Sequence, residues 1–421
     1  MENYGKILLI AMPLFLLLII IEKLYGISKG EDSVPYMDSV SSVSSGITNA
    51  VKDVLGLSVT FISYQWLVSK VAIFDLEPTT FTYAIAFIAI DFYGYWTHRL
   101  AHQINFLWNK HAIHHSSEEF NLACALRQSI SSFVNLFLIL LIPAAILGVP
   151  AQVIAVSIPI HLFLQFWYHT KHIKKMGFLE NILVTPSHHR VHHAINPIYM
   201  DKNHSQLFII WDKMFGTFQE ELVDVPPVFG ITRPAQTWNP IRINFQHLWL
   251  LITDAWRAEK WQDKLTIWFK PTGWRPENFE ERFPVKKITN VTDFEKYGNN
   301  YSSKLVYWSI TQVFITLLFV SYLFKNIAAI GLPGIFVYGF FIFLTIYSYT
   351  ELMDMRKMSL VWEGIRFIFS IGILWYYGDW FGLNSFLSFS NFVIIGYFSV
   401  SFSMSLYFVQ IDFKKHFSTS S

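Results

Sequence analysis

The sequence predicts an all-α, polytopic integral membrane helix bundle of about nine spans, with a histidine-rich two-metal site on its cytoplasmic face. Three observations predict it. Of 421 residues, 53% are hydrophobic and only 15% are charged, whereas an ordinary soluble domain carries about 25% charged residues. Apolar runs recur along the chain, and a bilayer-spanning helix needs roughly 20 such residues. Thirteen of the fifteen histidines fall between His98 and His204, in dense clusters directly beside two of those runs. The net charge of +2 offers no basic surface for nucleic acid. A single cysteine, Cys124, excludes a disulfide framework and a cysteine-based zinc site.

In chain order, residues 7–21 form the first apolar run, closed by Glu22 and Lys23. Glu2 precedes it and the bulky Leu24 and Tyr25 follow it, so it reads as an uncleaved helix and not as a signal peptide. Residues 28–53 are polar and Ser-rich and read as a loop. A weaker span at 54–74 contains Lys70 and alternatively lies in the membrane interface; Pro78 then opens a third span at 79–96. Two histidine boxes and a polar segment follow. Runs at 130–148 and 151–168 are separated only by Gly148-Val149-Pro150, which reads as a helical hairpin that brings the chain back to the histidine side. From His169 to about Ser303 the chain is polar and rich in Trp and Pro. Four more runs follow at 305–324, 327–347, 361–377 and 385–409.

This divides the chain into N-terminal membrane segments (1–78), a histidine-box core with a membrane hairpin (79–225), a polar linker region (226–303) and a four-span region (304–421). Under nine crossings, Arg99, Lys110, Arg127, Lys171, Lys174, Lys175, Arg190, Arg356, Lys357, Lys414 and Lys415 all fall on one side. Basic residues mark the cytoplasmic side of a bilayer, so the histidines are expected there: the endoplasmic reticulum in a eukaryote, the inner membrane in a bacterium.

Histidine is the commonest metal ligand and is neutral at pH 7. His98 and His102 are four apart and share a helical face. His111, His114 and His115 stand at i, i+3 and i+4, within an arc of about 100° on a helix. His189, His192 and His193 repeat that spacing, and His169 completes nine imidazoles. An open site uses about three protein nitrogens, so nine ligands imply two ions. With no thiolates and few carboxylates, the choice lies among iron, zinc, copper and nickel. A metal pair at a lipid boundary suits redox chemistry on hydrocarbon and favours iron, with zinc left open.

Around the ligands, Asp91 lies seven residues before His98, Gln165 four before His169, and His188 beside the third box. An intramembrane carboxylate is costly and marks function, and a hydrogen bond to a ligating histidine orients its ring. Glu118, Glu119 and Asp201 are further candidates for that outer role. His161 reads as a hydrogen-bonding residue within the bundle, His172 and His204 as loop residues or outer helpers, and His247 and His416 as structural. A metal carrier would spread ionisable groups across the bilayer; these clusters sit at helix ends. A zinc-dependent hydrolase stays open as the non-redox alternative.

The boxes HxxxH, HxxHH and HxxHH, with an apolar hairpin before the last, resemble the fatty acid hydroxylase and sterol desaturase superfamily, most strongly over residues 80–220. HSSEEFNLACALRQS (115–129), QFWYHT (165–170), TPSHHRVHHAIN (185–196) and IIWDKMFGTF (209–218) are similar to its alkylglycerol monooxygenase branch. The resemblance implies a membrane enzyme using O2 and two iron ions on the nine box residues just named. It also implies oxidation of the ether-linked carbon of a glyceryl ether, to a hemiacetal that collapses to aldehyde and glycerol, with tetrahydrobiopterin as electron donor. Gln103 stands where that branch has an acidic residue, a departure that bears on the pterin and the ether substrate. Within the superfamily the alternative is a sterol or acyl-chain hydroxylase or desaturase served by another donor.

Overall fold

The computed structural model describes residues 2–58, 63–132, 140–298 and 301–414. Among them are sixteen α-helices and no strand beyond isolated bridges. In order these are α1 (Glu2–Ser28), α2 (Tyr36–Val54), α3 (Tyr64–Val71), α4 (Thr80–Gln103), α5 (Asn105–His115), α6 (Ile142–Ile146), α7 (Ala151–Phe163) and α8 (Pro186–His192). The second half holds α9 (Ile210–Met214), α10 (Pro240–Arg257), α11 (Trp261–Thr266), α12 (Phe279–Arg282), α13 (Ser303–Ile330), α14 (Gly334–Met353), α15 (Ser359–Tyr377) and α16 (Ser390–Tyr407).

The stretch expected to be a loop, 28–53, is mostly helix α2. Val40, Val43, Ile47, Val51 and Val54 recur every three or four residues and are buried, which makes one apolar stripe. That stripe joins Val320 and Leu323 of α13 and Tyr338, Phe341 and Ile342 of α14 in the largest core cluster. The serines that make the segment look polar are buried too, at 41, 42, 44 and 45. Their hydroxyls are satisfied locally or across the packing, as when Ser41 donates to the Trp238 carbonyl at 2.8 Å. A serine bonded in this way is small enough to sit between helices.

Among the described residues, five helices are long and apolar enough to cross a membrane: Tyr4–Ser28 within α1, α13, α14, α15, and α16 with its extension to Asp412. These helices make the chain an integral membrane protein. Nine spans were expected, and the difference lies in the N-terminal half. The run at 54–74 yields only the eight-residue α3. The 13 residues of α7 extend about 20 Å at 1.5 Å per residue, short of a hydrocarbon core about 30 Å thick. The run at 130–148 includes residues 133–139, outside the described residues. The run at 79–96 is the first part of α4, a 24-residue helix that carries Asp91, Arg99 and two box histidines.

α6 and α7 form a tight hairpin against α3 and α4, through Tyr64, Leu67, Ala86, Ile90, Ala144, Val153 and Ile154. Gly148 turns it at φ +76°, and a Cβ there would meet the Phe74 carbonyl oxygen at 1.8 Å, so only glycine fits. Within residues 226–298, α10 packs on α5. Asn244 accepts from the Ile130 amide at 2.9 Å and Asn109 from the Leu248 amide at 2.8 Å.

Candidate metal centre

Three helices and one loop carry the box histidines. α4 ends with His98 and His102 four residues apart; the extended Ile104 breaks the chain, and α5 brings His111, His114 and His115 alongside. His169 follows the α6–α7 hairpin and lies in one group with His114. α8 carries His189 and His192, with His193 as its C-cap. The first turn of α8 is fixed by Thr185, whose side chain caps the His188 amide while the His188 ring accepts from the Thr185 amide. His188 is therefore a capping residue and belongs to neither histidine group described below.

The nine residues converge into two groups. His98, His102, His111, His115 and His192 form one; His114, His169, His189 and His193 form the other. Within each group one ligand atom per residue lies within 4.8 Å of all the rest. The groups adjoin, with the His115 and His193 rings stacked at 4.3 Å between centroids. Each HxxHH box serves both groups: the first and last histidines of 111–115 go to the five-membered group, while those of 189–193 go to the four-membered one.

Ring orientation fixes what these groups can do. Four Nδ1 atoms point outward to backbone carbonyls: His98 to that of His204 at 2.7 Å, His192 to that of Lys202 at 2.9 Å, His169 to that of Gln165 at 3.0 Å and His114 to that of Arg127 at 3.3 Å. His102 Nδ1 faces the Asp201 carboxylate at 3.3 Å. A carbonyl only accepts, so the proton sits on Nδ1 and Nε2 presents a bare lone pair. The Nε2 atoms of the box histidines lie close together, at 2.8 Å for His98 and His111, 2.9 Å for His169 and His189, 3.0 Å for His189 and His193, and 3.2 Å for His102 and His115. His192 Nε2 is buried with no hydrogen-bond partner.

Where both protons sit on Nδ1, as for His114 and His169 with Nε2 atoms 3.5 Å apart, the converging lone pairs repel unless a cation lies between them. Two nitrogens bound to one ion at about 2.0–2.1 Å are about 2.9–3.4 Å apart for square to tetrahedral angles, which matches these spacings. Burial holds His111, His115, His189, His192 and His193 well below the usual imidazole range and pushes His114 down to about 4. The rings are thus neutral at pH 7, as metal ligation requires. An all-nitrogen donor set fits iron, zinc, copper or nickel.

Asp91 does not touch a box histidine, contrary to expectation. It is fully buried and accepts from His161 Nε2 at 2.9 Å, the Leu207 and Phe208 amides at 2.9 and 3.0 Å, and Trp211 Nε1 at 2.8 Å. It therefore ties α4 to α7 and to the loop ahead of α9. Gln165 bridges from there, its amide nitrogen 3.0 Å from His161 Nδ1 and its own carbonyl orienting His169. Glu118 accepts from the Tyr297 amide and Glu119 pairs with Lys296, so neither reaches a histidine. His172 packs against Tyr25 and His247 bonds the Asn105 carbonyl; His416 lies outside the described residues. Gln103 is exposed.

Two supports were missed in the sequence. Asp212 accepts from the His204 and Ser205 amides at 2.8 Å and from Thr217 at 2.6 Å, holding the loop whose carbonyls orient His98 and His192. Asp38 of α2 pairs with buried Arg127 at 2.7 Å, and the Arg127 carbonyl is the one facing His114. Aromatic rings cover both groups, Trp108 at 5.1 Å from His102 and Tyr168 at 4.3 Å from His189.

The fatty acid hydroxylase family model matches residues 83–217, the stretch that holds both groups. The chain is 36% identical over 360 residues to an alkylglycerol monooxygenase of Homo sapiens, covering 85% of this chain and 80% of the relative. It is 33% identical over 356 residues to that of Xenopus tropicalis, covering 84% and 78%. An ornithine lipid hydroxylase of Rhizobium tropici is 28% identical over 195 residues, 46% of this chain and 56% of the relative. No solved structure matches.

Proposed function

The chain belongs to the fatty acid hydroxylase family, and from that premise we propose that it is a di-iron monooxygenase that cleaves the ether bond of alkylglycerols. The observation that carries this reading is the pair of adjoining, nitrogen-only groups built by all nine box histidines. One ion would be held by His98, His102, His111, His115 and His192, the other by His114, His169, His189 and His193. Bound iron would supply O2 activation and oxidation of a C–H bond.

The chain's own residues do the rest. The outward Nδ1 contacts of His98, His102, His114, His169 and His192 fix the tautomer and direction of those five rings, so they are ordered before metal arrives. Burial excludes water, and Trp108, Phe120 and Tyr168 present apolar surface beside the histidines for an alkyl chain. In the reaction, one oxygen atom enters the C–H bond next to the ether oxygen and the other leaves as water, with two electrons and two protons consumed. The resulting hemiacetal breaks its C–O bond to give fatty aldehyde and glycerol. Tetrahydrobiopterin is the donor to test first, and a cytoplasmic-face site in the endoplasmic reticulum or inner membrane is the location the basic residues support.

The test is reconstitution with Fe(II), tetrahydrobiopterin, O2 and an alkylglycerol, scored by fatty aldehyde. Similarity to an ornithine lipid hydroxylase supports acyl or sterol hydroxylation as the second reading. It predicts hydroxylated lipid without aldehyde, with a ferredoxin or cytochrome as donor. Aldehyde-free turnover on ether, sterol and acyl lipids alike, or activity with zinc and without O2, overturns the proposal.

A further inference from the structure

The polar region between the hairpin and the C-terminal bundle carries an apolar surface of its own. Trp249, Ile252 and Trp256 recur along one face of α10, and Trp261, Leu265 and Phe269 along α11 and the turn after it. All six are exposed, Trp249 by 66% and Trp256 by 85%. The opposite face of α10 is buried through Ile243, Asn244, Leu251 and Asp254, so the exposed stripe is not a frayed edge. Four cations, Arg257, Lys260, Lys264 and Lys270, are interleaved with it against the carboxylates Glu259 and Asp263, the third, Asp254, being buried in its pair with Arg275. Trp with basic residues on one exposed surface is the composition selected at a bilayer–water boundary.

Position agrees with composition. α10 begins at the end of α14, one of the helices able to cross the membrane. There Asn239 donates to Glu351 at 3.2 Å, Arg242 pairs with the same carboxylate, and Asp354 accepts from the Trp238 amide at 2.7 Å. α10 thus starts against the C-terminal end of that helix. We propose that α10 and α11 form an in-plane membrane-binding element, with the Trp249–Phe269 stripe inserted in one leaflet and the four cations on anionic lipid headgroups. This placement does not depend on the reaction proposed above. Its consequence is that leaflet lipid borders α10, which packs on α5, the helix that carries Trp108 and three box histidines.

Cys124 is buried, so introduced cysteines accept a nitroxide label selectively. The variants are Trp249→Cys, Trp256→Cys, Leu265→Cys and Phe269→Cys, with Val223→Cys as the water-facing reference, since Val223 is 92% exposed among acidic neighbours. The full chain is reconstituted in phosphatidylcholine–phosphatidylglycerol vesicles, and relaxation by O2 is compared with relaxation by a water-soluble nickel complex. The expected result is a several-fold shift toward O2 at all four stripe positions and toward nickel at 223. Nickel access at the stripe equal to that at 223 overturns the proposal, as does shielding that appears only when a membrane protein extract is added, which would assign the stripe to a protein partner.

Discussion

His114 and His169 face each other through Nε2 at 3.5 Å, with each ring's Nδ1 directed at a backbone carbonyl. Neither nitrogen has a proton to offer the other, so the pair is not a hydrogen bond. In the proposed centre it is half of the four-histidine group. His114→Ala or His169→Ala should remove one metal of two and leave the other group occupied. The activity loss should exceed the roughly 10–100-fold that losing an outer hydrogen-bond partner costs in metal affinity or activity. Metal content per chain, measured on purified variants, checks this.

Asp91 anchors four donors from two segments. Removing the carboxylate leaves His161, two amides and the Trp211 indole unpartnered, and each orphan costs about 1–3 kcal/mol. Asp91→Ala should be destabilised by more than about 3 kcal/mol, with Asp91→Asn, which keeps an acceptor oxygen, losing less. Denaturation in detergent micelles measures both.

The Asp38–Arg127 pair links α2 to the carbonyl that orients His114. Breaking a buried pair from one side costs about 3–5 kcal/mol, because a charge is left uncompensated. Asp38→Ala is therefore expected to lower the unfolding midpoint and to weaken metal retention in the group containing His114, while the other group keeps its ion. Dialysis against a chelator, with metal content followed over time, separates the two effects.

Stability should depend on pH with a definite sign. Burial holds His114 at about 4 in the folded chain, against 6.5 for the free group. Between those values the unfolded chain binds a proton that the folded chain refuses, so stability rises with pH. It is complete above about pH 6.5 and lost as pH falls through about 4. Protons also compete with metal for Nε2, so bound metal should be released across the same window. Parallel denaturation and metal-release titrations check both.

Much of this was legible in the residues themselves. Histidines at i, i+3 and i+4 announce a ligand cluster, and the four C-terminal helices follow their apolar runs closely. The partition of each box between two groups was not legible, because spacing gives the face of a helix and not what stands opposite it. Helix α2 hid behind its serines, although Val40, Val43, Ile47, Val51 and Val54 carry a clear helical period. Asp91 was singled out for its intramembrane position, but its partners lie 70 to 120 residues away along the chain, beyond the reach of any local pattern. Asp38 escaped notice for the same reason, its partner Arg127 lying 89 residues on, whereas Asp212 bonds a loop only five to eight residues away.

The central claim is that nine histidines from separate helices make two metal sites. Anaerobic loading of the purified chain with Fe(II), followed by metal analysis and Mössbauer spectroscopy, tests it most directly. The account predicts two irons per chain in nitrogen-rich surroundings, as two subspectra reflecting the five- and four-histidine groups. One iron per chain at saturation, or none retained, would contradict it.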